Sequence, residues 1–213
     1  MSTKVKICGL KTETALEVAL DGGADYVGLV FFPPSPRYVT PARAAAMAAR
    51  ARDRAKVVAL LVDPDEALIA DVLAAATPDI LQLHGQETPA RVAEIRSRWG
   101  IPIMKAVAVE TVEDARAGMR FASAADLILF DARAPEASTR PGGNGAPFDW
   151  RLLTGVTGSA PFVLSGGLTP DNVAEAIRVT GADVVDVSSG VESRPGEKDP
   201  ELIRRFLQRA KRA

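Results

Sequence analysis

Short apolar runs alternate with longer amphipathic stretches from one end of the chain to the other. The runs are 5–8, 26–31, 57–62, 80–83, 103–107, 127–130, 162–164 and 184–187. They are nearly continuous rather than polar at every second position. That marks strands covered on both faces, as in a parallel sheet lined by helices. Helix starts stand between them. Thr40-Pro41, Asp63-Pro64, Thr88-Pro89, Thr169-Pro170 and Asp199-Pro200 each put an oxygen cap before a proline at the first helical position. Thr77-Pro78 has the same form but leads into a run. A weak repeat precedes four of the runs: Gly23-Ala24-Asp25, Thr77-Pro78-Asp79, Ala124-Ala125-Asp126 and Gly181-Ala182-Asp183.

Eight strand–helix units in 213 residues fit most simply one α/β domain, a single (β/α)8 TIM barrel over residues 1–213. The alternative is an open doubly wound sheet. It would normally carry a glycine-rich dinucleotide fingerprint after its first strand, and Cys8-Gly9-Leu10-Lys11 is not one. The Gly/Pro-rich stretch 140–147 is too short to divide the chain. The connection 132–147 has the length of loops that often act as lids.

Composition narrows the chemistry. With 47% hydrophobic and 25% charged residues and a net charge of −1, the chain has an ordinary globular balance and no global field for nucleic acid or an anionic membrane. The basic residues Arg204, Arg205, Arg209, Lys211 and Arg212 read as a helix end that complements the macrodipole. The single cysteine excludes an internal disulfide, and the single histidine excludes a multi-histidine metal site. No run suits a signal peptide or a membrane span, so a cytoplasmic location is expected.

In a barrel, chemistry gathers at the C-terminal ends of the strands. Those ends offer Cys8, then Arg37 in a proline-stiffened loop, Asp63, His84-Gly85, Lys105, Asp131, Ser165-Gly166-Gly167 and Ser188-Ser189-Gly190. Gly166, Gly167, Ser188, Ser189 and Gly190 follow the last two strands, where barrels often bind phosphate through closely approaching backbone. Arg37 suits a carboxylate, which a guanidinium binds bidentately. His84 and Lys105 are further candidates. Asp63 reads first as a helix cap. Barrel closure lets Cys8 and Asp131 face one substrate from two sides, as a base and an acid would.

Eight segments in order, spread along the whole chain, carry a resemblance: 6–10 (KICGL), 31–39 (FFPPSPRYV), 82–85 (QLHG), 129–131 (LFD), 142–150 (GGNGAPFDW), 164–173 (LSGGLTPDNV), 186–192 (DVSSGVE) and 196–199 (GEKD). Together they resemble the phosphoribosylanthranilate isomerases of tryptophan biosynthesis. Asn144 stands where that family more often has a hydroxyl residue, and Ser165 where it often has alanine. The resemblance implies an Amadori rearrangement of N-(5-phosphoribosyl)anthranilate to 1-(2-carboxyphenylamino)-1-deoxyribulose 5-phosphate. It implies that Asp131 protonates the furanose oxygen and Cys8 removes the proton from ribose carbon 2. The loops after strands seven and eight would hold the phosphate, and Arg37 would meet the anthranilate carboxylate. No cofactor and no metal are expected, and the only partner is a small phosphosugar, with no nucleic acid and no membrane. The protein is expected to be a monomer or a homodimer.

Two other readings compete. One is a different phosphosugar-binding barrel isomerase. Ribulose-phosphate epimerases, however, would need a multi-histidine metal site, and the related histidine-pathway isomerases use a carboxylate where this chain has Cys8. The other is a barrel that binds a phosphorylated metabolite without catalysis, against which the presence of both Cys8 and Asp131 speaks.

Overall fold

The computed structural model describes residues 3–133, 148–158 and 161–213. Eight parallel strands close into a barrel in sequence order: β1 (Lys4–Cys8), β2 (Tyr26–Val30), β3 (Lys56–Leu61), β4 (Ile80–Leu83), β5 (Ile103–Val109), β6 (Leu127–Ala132), β7 (Phe162–Leu164) and β8 (Val184–Val187). The helices α1 (Glu13–Asp21), α2 (Pro41–Ala51), α3 (Glu66–Ala76), α4 (Pro89–Trp99) and α5 (Val112–Gly118) follow the first five strands. Two more, α6 (Val173–Thr180) and α7 (Pro200–Ala210), follow β7 and β8. After β6 the described residues hold a 3-10 turn, Trp150–Leu153, in place of the expected α-helix. An antiparallel hairpin of β9 (Glu192–Arg194) and β10 (Glu197–Lys198) stands between β8 and α7, and no feature of the apolar pattern announces it. Asn144 and most of the connection 132–147 lie outside the described residues.

Each strand serves two cores. Tyr26, Val58, Ile80, Met104, Ala106, Leu129, Val163 and Val184 fill the barrel interior. Their sequence neighbours, such as Val27, Leu81, Ile103 and Val185, pack outward against the helices. Strand side chains alternate, so burial on both faces makes the runs look continuous. Continuing the interior positions toward the C-terminal rim brings in Cys8 from β1, Gln82 and His84 from β4, Asp131 from β6, Ser165 after β7 and Asp186 from β8. The period-2 rule thus positions the site.

Thr40, Thr88 and Asp199 cap α2, α4 and α7, each with proline in the first turn. Asp63 does not cap α3. Asp65 accepts the Leu68 N–H there, two residues later. Asp63 takes a left-handed φ of 45° and accepts the Gln86 N–H at 2.6 Å. Thr169-Pro170 likewise opens a turn, and Asn172 precedes α6.

Three of the four repeated aspartates share one role at the opposite rim, whereas Asp183 meets β1 through its carbonyl, which accepts the Lys4 N–H. The Val5, Val57 and Ile103 N–H groups donate to Asp25, Asp79 and Asp126 Oδ2 at 2.7, 2.7 and 2.9 Å. Each aspartate returns its own N–H to the carbonyl of the same residue. A two-bond clasp therefore joins β1 to β2, β3 to β4 and β5 to β6 at their starts. Asp79→Ala should leave the Val57 N–H without its acceptor and cost about 1–3 kcal/mol. Urea unfolding followed by circular dichroism should show the lower midpoint with an unchanged slope.

Candidate active site

The site is built upward from the seam between β1 and β8. Lys6 pairs in register with Asp186 across that seam. The Lys6 side chain is fully buried, and its Nζ donates to Asp186 Oδ1 at 2.8 Å. Ser165 Oγ donates to the other carboxylate oxygen at 3.2 Å. An unpaired charge here would be very costly, so each ion requires the other. Burial pulls the Lys6 ammonium down, but Asp186 and Cys8 together outweigh it, so the proton is held firmly. Ser165 thus adds a donor to this pair.

Cys8 lies two residues above Lys6 on the same inner face, near enough for the two to interact electrostatically. Burial pushes the Cys8 thiol up, Lys6 pulls it down, Asp186 pushes it up and Lys198 pulls it down. Gly28, in register with Cys8 on β2, makes room for the thiol. A Cβ there would stand 2.9 Å from Sγ and 3.0 Å from Cys8 Cα.

Above the thiol the hairpin gathers three charges. Arg37 is buried rather than solvated, and donates to both oxygens of Glu192, from Nε at 2.7 Å and from Nη2 at 2.8 Å. Lys198 Nζ donates to Glu192 Oε1 at 2.6 Å and to the Ser188 carbonyl at 2.9 Å. Burial pushes Glu192 up, but Arg37 and Lys198 outweigh it and hold the carboxyl at about 2. Burial pushes Lys198 down to about 8 although Glu192 opposes it. Ser188 Oγ donates to the Cys8 carbonyl at 3.2 Å, which ties the hairpin base to the thiol's own backbone.

Asp131 stands on the inner face at the same rim, separated from Cys8 by β7 and β8. Its Oδ2 lies 3.4 Å from His84 Nε2, and its Oδ1 accepts the Ala132 N–H at 2.9 Å. The small Ala106 and Ala108 of β5 lie between β4 and β6, and with His84 and Asp131 they line a cavity of about 390 Å³. Lys105 is not among the inward groups. It donates to the Leu83 and Gly85 carbonyls and to Glu87 Oε2 at 2.7 Å, which fastens the turn after β4.

The loops after β7 and β8 touch. Gly166 and Gly167 take φ of 84° and 66°, a region glycine enters without strain. A Cβ on Gly166 would stand 2.5 Å from the Ala132 amide nitrogen, and one on Gly190 would strike the Leu168 carbonyl. Ser189 and Gly190 form a 3-10 turn. The glycines thus let the two loops pack closely on Ala132 and Leu168, at the strand ends where barrels often hold an anion.

All the rim candidates except Asp63 and Lys105 thus surround one mouth. Lys6, Asp186, Gly28, Gln82, Glu192 and Lys198 were missed. The signal for the first three lay in plain view, as a charge or a glycine inside an apolar run.

The profile of the N-(5'-phosphoribosyl)anthranilate (PRA) isomerase family matches residues 5–209. The chain belongs to this family. It is an isomerase by that membership. An N-(5'-phosphoribosyl)anthranilate isomerase of Rhodopseudomonas palustris (strain BisA53) is 56% identical over 211 residues, covering 99% of this chain and 97% of that protein. The crystal structure of phosphoribosyl anthranilate isomerase from Thermotoga maritima matches with a TM-score of 0.89 at 36% identity, over 99% of this chain and 100% of that one. A phosphoribosyl anthranilate isomerase in complex with reduced 1-(o-carboxyphenylamino)-1-deoxyribulose 5-phosphate matches with a TM-score of 0.86 at 33% identity, over 99% and 100%.

Two outcomes follow from the geometry. Gly28→Ala should displace the thiol and lower kcat by about 10²-fold, while the melting temperature falls far less; steady-state kinetics beside calorimetry check this. Glu192 is depressed in the folded state, so its stabilisation is present above its ordinary value near 4.5 and is lost as pH falls toward about 2. Glu192→Gln should flatten the loss of stability across that window in denaturant titrations at stepped pH.

Proposed function

We propose that this isomerase converts N-(5-phosphoribosyl)anthranilate to 1-(2-carboxyphenylamino)-1-deoxyribulose 5-phosphate by an Amadori rearrangement, in tryptophan biosynthesis and in the cytoplasm. The observation that carries the reading is the placement of the one thiol and an inward carboxylate at a single rim, beside a double glycine cradle. Asp131 gives a proton to the furanose oxygen as the bond from that oxygen to carbon 1 breaks, leaving an iminium. Cys8, as thiolate, removes the proton from carbon 2. The resulting enolamine relaxes to the ketone. Gly166, Gly167, Ser188, Ser189 and Gly190 cradle the 5'-phosphate, and Arg37, aimed by Glu192, attracts the anthranilate carboxylate. The protein works as a monomer or homodimer and needs no cofactor.

The buried thiol demands help. A free cysteine near pH 7 is mostly protonated, and burial moves Cys8 further that way. Lys6 and Lys198 oppose the burial, and the iminium both attracts the thiolate and acidifies the carbon-bound proton.

The reading is tested by adding the protein to freshly made phosphoribosylanthranilate and following the loss of its fluorescence. Cys8→Ser and Asp131→Asn should each lower kcat by about 10²–10⁴-fold. The parent should show a bell-shaped pH–rate profile, rising as the thiol ionises and falling as the acid loses its proton. A parent protein that leaves the fluorescence unchanged overturns the reaction. Variants as fast as the parent overturn the roles.

A further inference from the structure

Gln82 is fully buried in the barrel interior and has no direct part in the chemistry above. Its Nε2 lies 3.0 Å from His84 Nδ1, and His84 Nε2 faces Asp131 Oδ2. The three side chains form a line that ends on the proposed acid. Gln82 Oε1 has no hydrogen-bond partner among the described residues. A buried amide oxygen left unpaired costs about 1–3 kcal/mol, so its retention calls for a reason.

Proton counting supplies one. With the amide nitrogen donating to Nδ1, His84 carries its hydrogen on Nε2 and turns it toward Asp131 Oδ2, 3.4 Å away. Both Asp131 oxygens then face a hydrogen, Oδ1 accepting the Ala132 N–H and Oδ2 looking at His84 Nε2. This arrangement suits the acid after it has delivered its proton. A half-turn of the amide exchanges oxygen for nitrogen. The oxygen then accepts from a hydrogen on Nδ1, which leaves Nε2 free to share a second proton with Asp131.

We propose that Gln82 is a positioning residue that stores the proton of the acid, by reversing its amide as the His84–Asp131 pair fills and empties. The proposal rests on the reading of Asp131 as the acid. The filled pair holds two protons, one on Nδ1 and one between Nε2 and Oδ2. The second leaves for the furanose oxygen as the ring bond breaks. The emptied pair keeps one proton, settles with it on Nε2, and turns the amide to the orientation described. One proton from solvent water refills it.

The other charges near the pair are already engaged. On β5 and the turn after β4, Lys105 is tied to Glu87. At α5, Asp114 is tied to Arg133. Arg120 lies over the Phe121 ring, and Asp63, packed beside Gly85, is held by the Gln86 N–H. Gln82 is the neutral group in line with the imidazole, and its amide offers both a donor and an acceptor there.

The chain has one histidine, so nitrogen-15 NMR reads its tautomer without assignment. In the parent, hydrogen should move from Nε2 to Nδ1 as pH falls through the alkaline limb of kcat/KM. Gln82→Met removes the acceptor that the filled pair needs, so the limb should move to lower pH by about one unit. Gln82→Glu supplies an anionic acceptor, so the limb should move the other way and the hydrogen should stay on Nδ1. A purely structural glutamine would not give opposite shifts in two variants of similar size. An active parent whose limb and histidine signals are unmoved in both variants, or moved in the same direction, overturns the proposal alone. An inactive parent instead overturns the reaction on which it rests.

Discussion

Closure of the barrel between β1 and β8 is the constraint on which the site depends. The two strands meet in one register, and that register sets Lys6 against Asp186 with both side chains buried. A slip of one residue would turn every inward side chain outward and strand both ions. The ion pair is therefore better understood as a specifier of register than as a source of net stability. Everything above it follows. Cys8 is raised to the rim, Ser188 meets its carbonyl, and the hairpin after β8 reaches Arg37.

The rim divides into two chemical halves. Around Cys8 the neighbours are ionic: Lys6, Asp186, Glu192, Arg37 and Lys198. Around Asp131 the side chains in line are a histidine and an amide, and the charges farther out are tied to one another. In the proposed reaction a thiol must lose a proton in a buried place and a carboxyl must hold one. Nearby cations favour the first. The line of His84 and Gln82 offers the second both a donor and an acceptor.

Much of this was legible in the chain. Parallel strands buried on both faces leave long apolar runs, so all eight strands showed, and with them the strand ends that carry Cys8, His84 and Asp131. Proline after an oxygen cap located α2, α4 and α7 because that signal is local. The same signal misled at Asp63, where a left-handed backbone moves the helix start by two residues. The pairings stayed hidden for a physical reason. Lys6 and Asp186 are 180 positions apart and Arg37 and Glu192 are 155 apart, and no periodicity within a strand reports who will stand opposite. Gln82 looked like one polar residue in a short run until its interior face was known.

The aspartate clasps bear on how such a molecule assembles. They join β1 to β2, β3 to β4 and β5 to β6 across only 20 to 23 positions of chain. The seam joins residues 180 positions apart. Loop-closure entropy favours the short connections first, so the paired strands are natural early units and the β1–β8 seam a natural last step. Cys8 acquires Ser188, Asp186 and the hairpin's charges only when that seam shuts. Until the last strand docks, the chain can be largely folded while Cys8 and Asp131 still lack a common rim, so the activity proposed for them would itself report the completed ring.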